Sequence, residues 1–227
     1  MADKSLVRLG GVASIAVGGL YLLIAITFLV VPAEQQGGSG TADLIRFLPS
    51  FHANPTPMMA LFAEFTLCAL LAMAAVPAIT RLVRDVNEGL SRWTSTLALL
   101  GFAIVAVYYV QMIAESPSRA AAFVAGDSST KAALAIPSGV DPQFLLRYGA
   151  TGLWIFVVSV LALKGSKLPK ILAAIGILAA AMYWLLAATD VLGMAATLRT
   201  IVAIAGGVVA GPIWYIWVGS RLLKSAR

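Results

Sequence analysis

The stretch "LFAEFTLCALLAM" (Leu61–Met73) sets one carboxylate, Glu64, inside an otherwise apolar run. A charge in such surroundings is costly, and it usually faces a bundle interior or a water-filled cavity beside polar partners. Several other segments carry polar groups at helical spacing. Tyr108, Gln111 and Glu115 recur at i, i+3 and i+7. Arg147, Thr151 and Trp154 form a second stripe, and Tyr183, Ala187 and Asp190 a third; Arg199 opens the last apolar run. Such a set could hold an ion pair, a polar ligand or an ion. Arg147 is the expected partner of Glu64, because its long side chain can reach down to it. Two readings follow. One is a structural ion pair buttressed by Tyr108 or Gln111; the other is a ligand site in a polar pocket.

Much other chemistry is excluded. His52, in "PSFHANPTPMM", is the only histidine, so bis-histidine haem and HExxH zinc sites cannot form within one chain. His52 with Met58 or Met59 is the one weak metal candidate, and a solvent-facing loop histidine is the simpler reading. There is no nucleotide-binding glycine motif and no nucleophile motif. These absences point away from an enzyme, and no metal or cofactor is predicted. The single cysteine, Cys68, excludes an intrachain disulfide and reads as a small packing residue. The aromatics of "MYWLLAATD" (Met182–Asp190) and "PIWYIWVGSR" (Pro212–Arg221) read as interfacial belts. A site for a lipid, quinone, carotenoid or tetrapyrrole is the alternative.

The elements that must position these residues are helices in lipid. Of 227 residues, 60% are hydrophobic and 11% charged, and the mean hydropathy is +0.93. That leaves too little polar surface for a water-soluble globule, which carries about 25% charged residues. Six apolar runs approach or exceed the ~20 residues that cross a bilayer as a helix. They are Leu9–Val31, Pro57–Thr80, Trp93–Ala114, Leu145–Leu163, Leu168–Ala188 and Thr200–Leu222. Every backbone group must be paired within the segment in hydrocarbon, so these runs are helices. The predicted fold is all-α: one six-helix transmembrane bundle over residues 1–227.

Basic residues give its orientation. Lys4, Arg8, Arg81, Arg84, Arg92, Lys164, Lys167, Lys170, Arg221, Lys224 and Arg227 fall on one side, and Arg46, Arg119, Lys131, Arg147 and Arg199 on the other. The positive-inside rule makes the first side, with both termini, cytoplasmic. The net charge of +6 is thereby a matter of topology and of anionic headgroups, and nucleic acid is not expected as a partner. All the candidate polar residues then lie in or above the outer half of the bundle, which predicts an outward-facing pocket.

Two outer connections, 32–56 and 115–144, are long. Thr41 is expected to cap a short surface helix, and Asp141-Pro142 to be the N-cap and first position of the fourth span. Gly207 and Gly211 form a GxxxG, and "GGVASIAVGG" (Gly10–Gly19) offers a second small-residue face; both are expected to mediate helix packing. Pro212 should kink the last span.

The segment "LWIFVVSVLALKGSKLPKILAAIGILAAAMYWL" (Leu153–Leu185) resembles the domain of unknown function 4386 family of small six-span bacterial membrane proteins. "GGLYLLIAITFLV" (Gly18–Val30) is similar to that family's first span. The resemblance implies six spans in a bacterial cytoplasmic membrane, and no reaction or site residues. On function, the sequence leans toward a non-catalytic accessory or assembly subunit of a larger membrane complex, with lipids and other subunits or further copies of itself as partners. The alternative is a small-molecule or ion binding or transport protein with its pocket around Glu64.

Overall fold

A computed structural model describes residues 2–36, 40–137, 140–141, 144–192 and 196–226; the side chains of residues 2, 3, 190, 196 and 197 are outside the described set. Helices α1 (Ala2–Val30), α3 (Thr56–Arg81), α4 (Glu88–Ala125), α6 (Leu145–Lys164) and α7 (Lys170–Val191) are long. A composite sixth helix joins α8 (Ala196–Ala203), a π-helical stretch (Ile204–Ala210) and α9 (Gly211–Ser225). All six are long and apolar enough to cross a membrane, and no strand occurs among the described residues. This is an all-helical, multi-pass membrane protein.

The spans close into a ring in chain order. α1 packs on α3, α3 on α4, α4 on α6, α6 on α7, α7 on the sixth helix, and α9 back on α1. Lipid supplies no hydrophobic drive between helices, so close approach depends on small side chains. Gly10 lies against Ala78 of α3. Gly11 and Gly18 lie against α9, where a Cβ on Gly219 would stand 2.7 Å from the Gly11 carbonyl oxygen. Ser14 Oγ donates to the Tyr215 carbonyl (2.6 Å) across the same seam. "GGVASIAVGG" is thus an internal packing face.

Within the chain the GxxxG does not form the expected packing face. Gly207 has no heavy atom near its Cβ position, and Gly211 faces only the Gly206 carbonyl of its own helix. The residue packed against α7, on Met182, is Gly206. The wider turn of the π-helical stretch rotates the glycines out of the α-helical register that the motif assumes. The π-helical stretch ends at Ala210, and Pro212 sits in the first turn of α9, where its missing N–H costs nothing.

The belt reading of Pro212–Arg221 is also corrected. Trp214 and Tyr215 are fully buried, and only Trp217 is exposed. Trp154, Trp214 and Tyr215 pack edge to face, at 5.8 and 5.0 Å between centroids. Trp154 Nε1 donates to Thr80 Oγ1 (2.9 Å), which satisfies the indole inside the core.

The connections divide the bundle into two ends. At one end, 82–87 and 165–169 are short and are tied by the Lys167 ammonium donating to Asp85 Oδ2. At the other lie the long connections, called here the long-loop end. There α2 (Thr41–Ala53) buries Phe47, Leu48 and Phe51 instead of lying on the surface. Its N-cap is Gly40, and Thr41 is its first residue. α4 has 38 residues, about 57 Å at 1.5 Å per residue, against roughly 30 Å of hydrocarbon. It therefore projects beyond the predicted 93–114 span and carries α5 (Ser128–Leu134) on Asp127, whose carboxylate accepts from Thr130 N (2.8 Å). The hydrogen bonds and burial of residues near 114 continue the helix where composition alone marks the edge of lipid.

Candidate functional site

Arg147 holds the centre of the polar region. It lies in the first turn of α6 and is 1% exposed. Its guanidinium carbon lies 4.0 Å from the Tyr108 ring centroid, 3.8 Å from that of Phe144 and 5.9 Å from that of Tyr109. Aromatic faces attract a guanidinium and repay part of its desolvation. The predicted pairing with Glu64 does not form; the carboxylate beside Arg147 is Asp141. Asp141 Oδ2 accepts from the Arg147 backbone N–H (2.9 Å) and Oδ1 from that of Leu146 (3.1 Å). Arg147 Nη2 donates to the Asp141 carbonyl (2.9 Å), and Nε stays 3.7 Å from Oδ2. Asp141 thus caps α6 from outside, while the formal N-cap is Phe144, at φ 60. Pro142, the other half of the predicted cap, lies outside the described residues. A nearby acid captured Arg147 because a turn costs less chain entropy to close than a contact between distant helices.

Glu64 has a different partner. Its Oε1 accepts from Thr27 Oγ1 of α1 (2.7 Å), and its Oε2 is buried without a hydrogen-bond partner. Gln111 Oε1 and Tyr215 OH are likewise buried and unsatisfied, as are Nε and Nη1 of Arg147. Tyr183 and Tyr21 share a hydroxyl–hydroxyl hydrogen bond across the bundle from α7 to α1. Tyr21 stacks on Tyr215 at 6.0 Å, and Tyr183 lies 5.7 Å from Tyr148. Tyr148 touches Phe144, and Phe144 touches Tyr108. Rings therefore line the interior continuously from the Trp154–Trp214 core to Arg147. Arg199, on α8, brings its guanidinium carbon 6.0 Å from the Phe144 ring.

The predicted residues divide accordingly. Tyr108, Arg147 and Arg199 meet around Phe144. Gln111 stands one turn along α4 from Tyr108 with its carbonyl buried, and Tyr183 joins the tyrosine cluster near Cys68, which is buried. Glu115 is exposed and lines a surface groove with Ser118 and Arg119, against Leu134 and Ile136. The side chain of Asp190 is outside the described residues. His52 is exposed on α2, and no group of three or more metal-ligating side chains gathers among the described residues. The polar set is packed shut by rings around Arg147; the open grooves lie elsewhere, at Glu115 and on the outside of α1 and α9.

The sequence reading missed Thr27, Tyr21, Tyr109, Phe144, Tyr215 and the acid partner Asp141. Thr27 carried a usable signal, a hydroxyl in the last turn of the first span, at the same end as Glu64. The aromatic residues carried none, because a ring in an apolar run reads equally as lipid-facing.

The profile of the domain of unknown function DUF4386 matches residues 16–224. The chain belongs to the DUF4386 family. The match runs from the middle of α1 to the end of α9 and takes in the whole polar cluster, so the likeness of Leu153–Leu185 extends over most of the chain. None of the curated proteins and none of the solved structures matches it.

Proposed function

We propose that this DUF4386 protein is a non-catalytic integral membrane protein that binds a small molecule or ion in the half of the bundle facing its long connections. The carrying observation is the set of orphaned buried atoms there, Glu64 Oε2, Gln111 Oε1, and Arg147 Nε and Nη1, with Gln35 Oε1 at the same end; a second set, Ser159 Oγ, Trp214 Nε1 and Tyr215 OH, lies on α6 and α9. Buried polar atoms are nearly always partnered, by protein or by water. Several orphans on different helices of one region are therefore best read as contacts awaiting a ligand. By the basic-residue asymmetry, this half faces outward from a bacterial cytoplasmic membrane.

A subunit role in a larger complex is the second reading. It draws support from the concave apolar face between α1 and α9, lined by Leu22, Val208, Pro212, Ile213, Ile216 and Trp217. A neighbouring helix would fit that face as well as lipid does. Native mass spectrometry of a mild-detergent extract separates the two. A chain carrying one stoichiometric small-molecule mass, lost in Glu64→Gln, supports binding. Stoichiometric partner chains with no added mass support the subunit reading and overturn the first.

A further inference from the structure

We propose that Arg147 is the anchor for an oxyanion, a carboxylate or a phosphate; this deepens the binding reading and rests on it. A guanidinium has five N–H donors, in a planar fork that matches carboxylate and phosphate oxygens. At Arg147 the donors are only partly used. Nη2 gives one N–H to the Asp141 carbonyl, Nε stands 3.7 Å from Asp141 Oδ2, and Nη1 has no partner. The side chain is 1% exposed, so bulk water does not serve these donors.

Both ring faces of the guanidinium are covered, by Tyr108 at 4.0 Å and Phe144 at 3.8 Å. Only the edge is left for a ligand. Edge-on approach favours a group that presents two adjacent oxygens, as carboxylate and phosphate do, over a spherical ion, and low polarity around it strengthens each charge-assisted bond. Asp141 is already engaged by two backbone N–H groups, and the Arg199 guanidinium lies 6.0 Å from the same Phe144 ring. An oxyanion carried on an alkyl chain and a free oxyanion would use the same donors.

The test uses the full chain in lipid nanodiscs and reads the melting temperature against four probes: decanoate, decyl phosphate, decanol and inorganic phosphate. Decanoate and decyl phosphate are expected to raise Tm in a saturable way, and decanol is not. Inorganic phosphate acting as strongly as decyl phosphate also supports the anchor and assigns the source to a free oxyanion; no effect assigns it to an alkyl-borne one. Arg147→Lys keeps the charge and loses the fork, so its apparent affinity for decanoate should fall about tenfold. If that variant does not fold, the decanoate–decanol contrast in the native chain decides alone. Equal shifts from decanoate and decanol, or undiminished affinity in Arg147→Lys, overturn the oxyanion assignment while binding as such stands. No shift from any probe also overturns it, and the mass measurement above then judges the broader reading by itself.

Discussion

Glu64 and Arg147 show two ways of keeping a charge inside apolar surroundings. Glu64 is half-buried and takes one hydroxyl donor, from Thr27. Removing a donor from a buried acceptor costs about 1–3 kcal/mol, so Thr27→Val should lower stability by that order in a denaturation series. Glu64→Gln retains an acceptor for Thr27 and removes the charge. It should leave Tm equal or higher while abolishing the bound mass; a large loss of Tm would make Glu64 a structural group. Within the core, Thr80→Val strands the Trp154 indole N–H and should cost about 1–3 kcal/mol on the same grounds. Thr80→Ser, which keeps the hydroxyl, should recover most of it.

The glycines carry the sharpest contrast between elements. A Cβ on Gly219 would stand 2.7 Å from the Gly11 carbonyl, a distance that only backbone movement can relieve. Gly219→Ala should therefore separate α1 from α9 and lower Tm by several degrees. Gly207→Ala meets no atom and should be tolerated. Thermal melts of the two variants side by side check this; equal losses would mean that the α1–α9 seam is not set by close approach. At the α5 cap, backbone N–H donation from Thr130 holds the Asp127 carboxyl down from 3.8 to about 2. A lowered folded value means that the cap's contribution is present above pH 3.8 and disappears as pH falls toward about 2. Amide protection factors in 128–134, with the intrinsic pH dependence of exchange divided out, should fall as pH drops through that window and stay level above it. Asp127→Asn should remove the pH dependence.

For the whole molecule, ring closure in chain order puts the short connections, flanked by basic residues, at one end and the long ones at the other. The charge asymmetry predicts that the short-loop end faces the cytoplasm. In a Cys68→Ala background, cysteines at Ser166 and Ser225 should be blocked from an impermeant thiol reagent in intact cells, while one at Ser129 reacts. The opposite pattern would invert the topology and turn the polar half inward.

The number and order of the spans were legible in the sequence, since apolar runs of spanning length permit nothing but helices in lipid; the length of α4 was not. α1, α3, α6 and α7 begin or end within a few residues of where composition puts them, apart from the extension of α1 to Ala2. The gathering of Tyr108, Arg147 and Arg199 at one end followed from counting along those helices. Who bonds to whom did not follow. Rotation of each helix about its axis is set by packing, and apolar runs carry almost no rotational signal when lipid and core are equally greasy. Thus only the tertiary structure gave Arg147 to Asp141 and Glu64 to Thr27, buried Trp214 and Tyr215, and replaced Gly207 by Gly206 at the α7 seam.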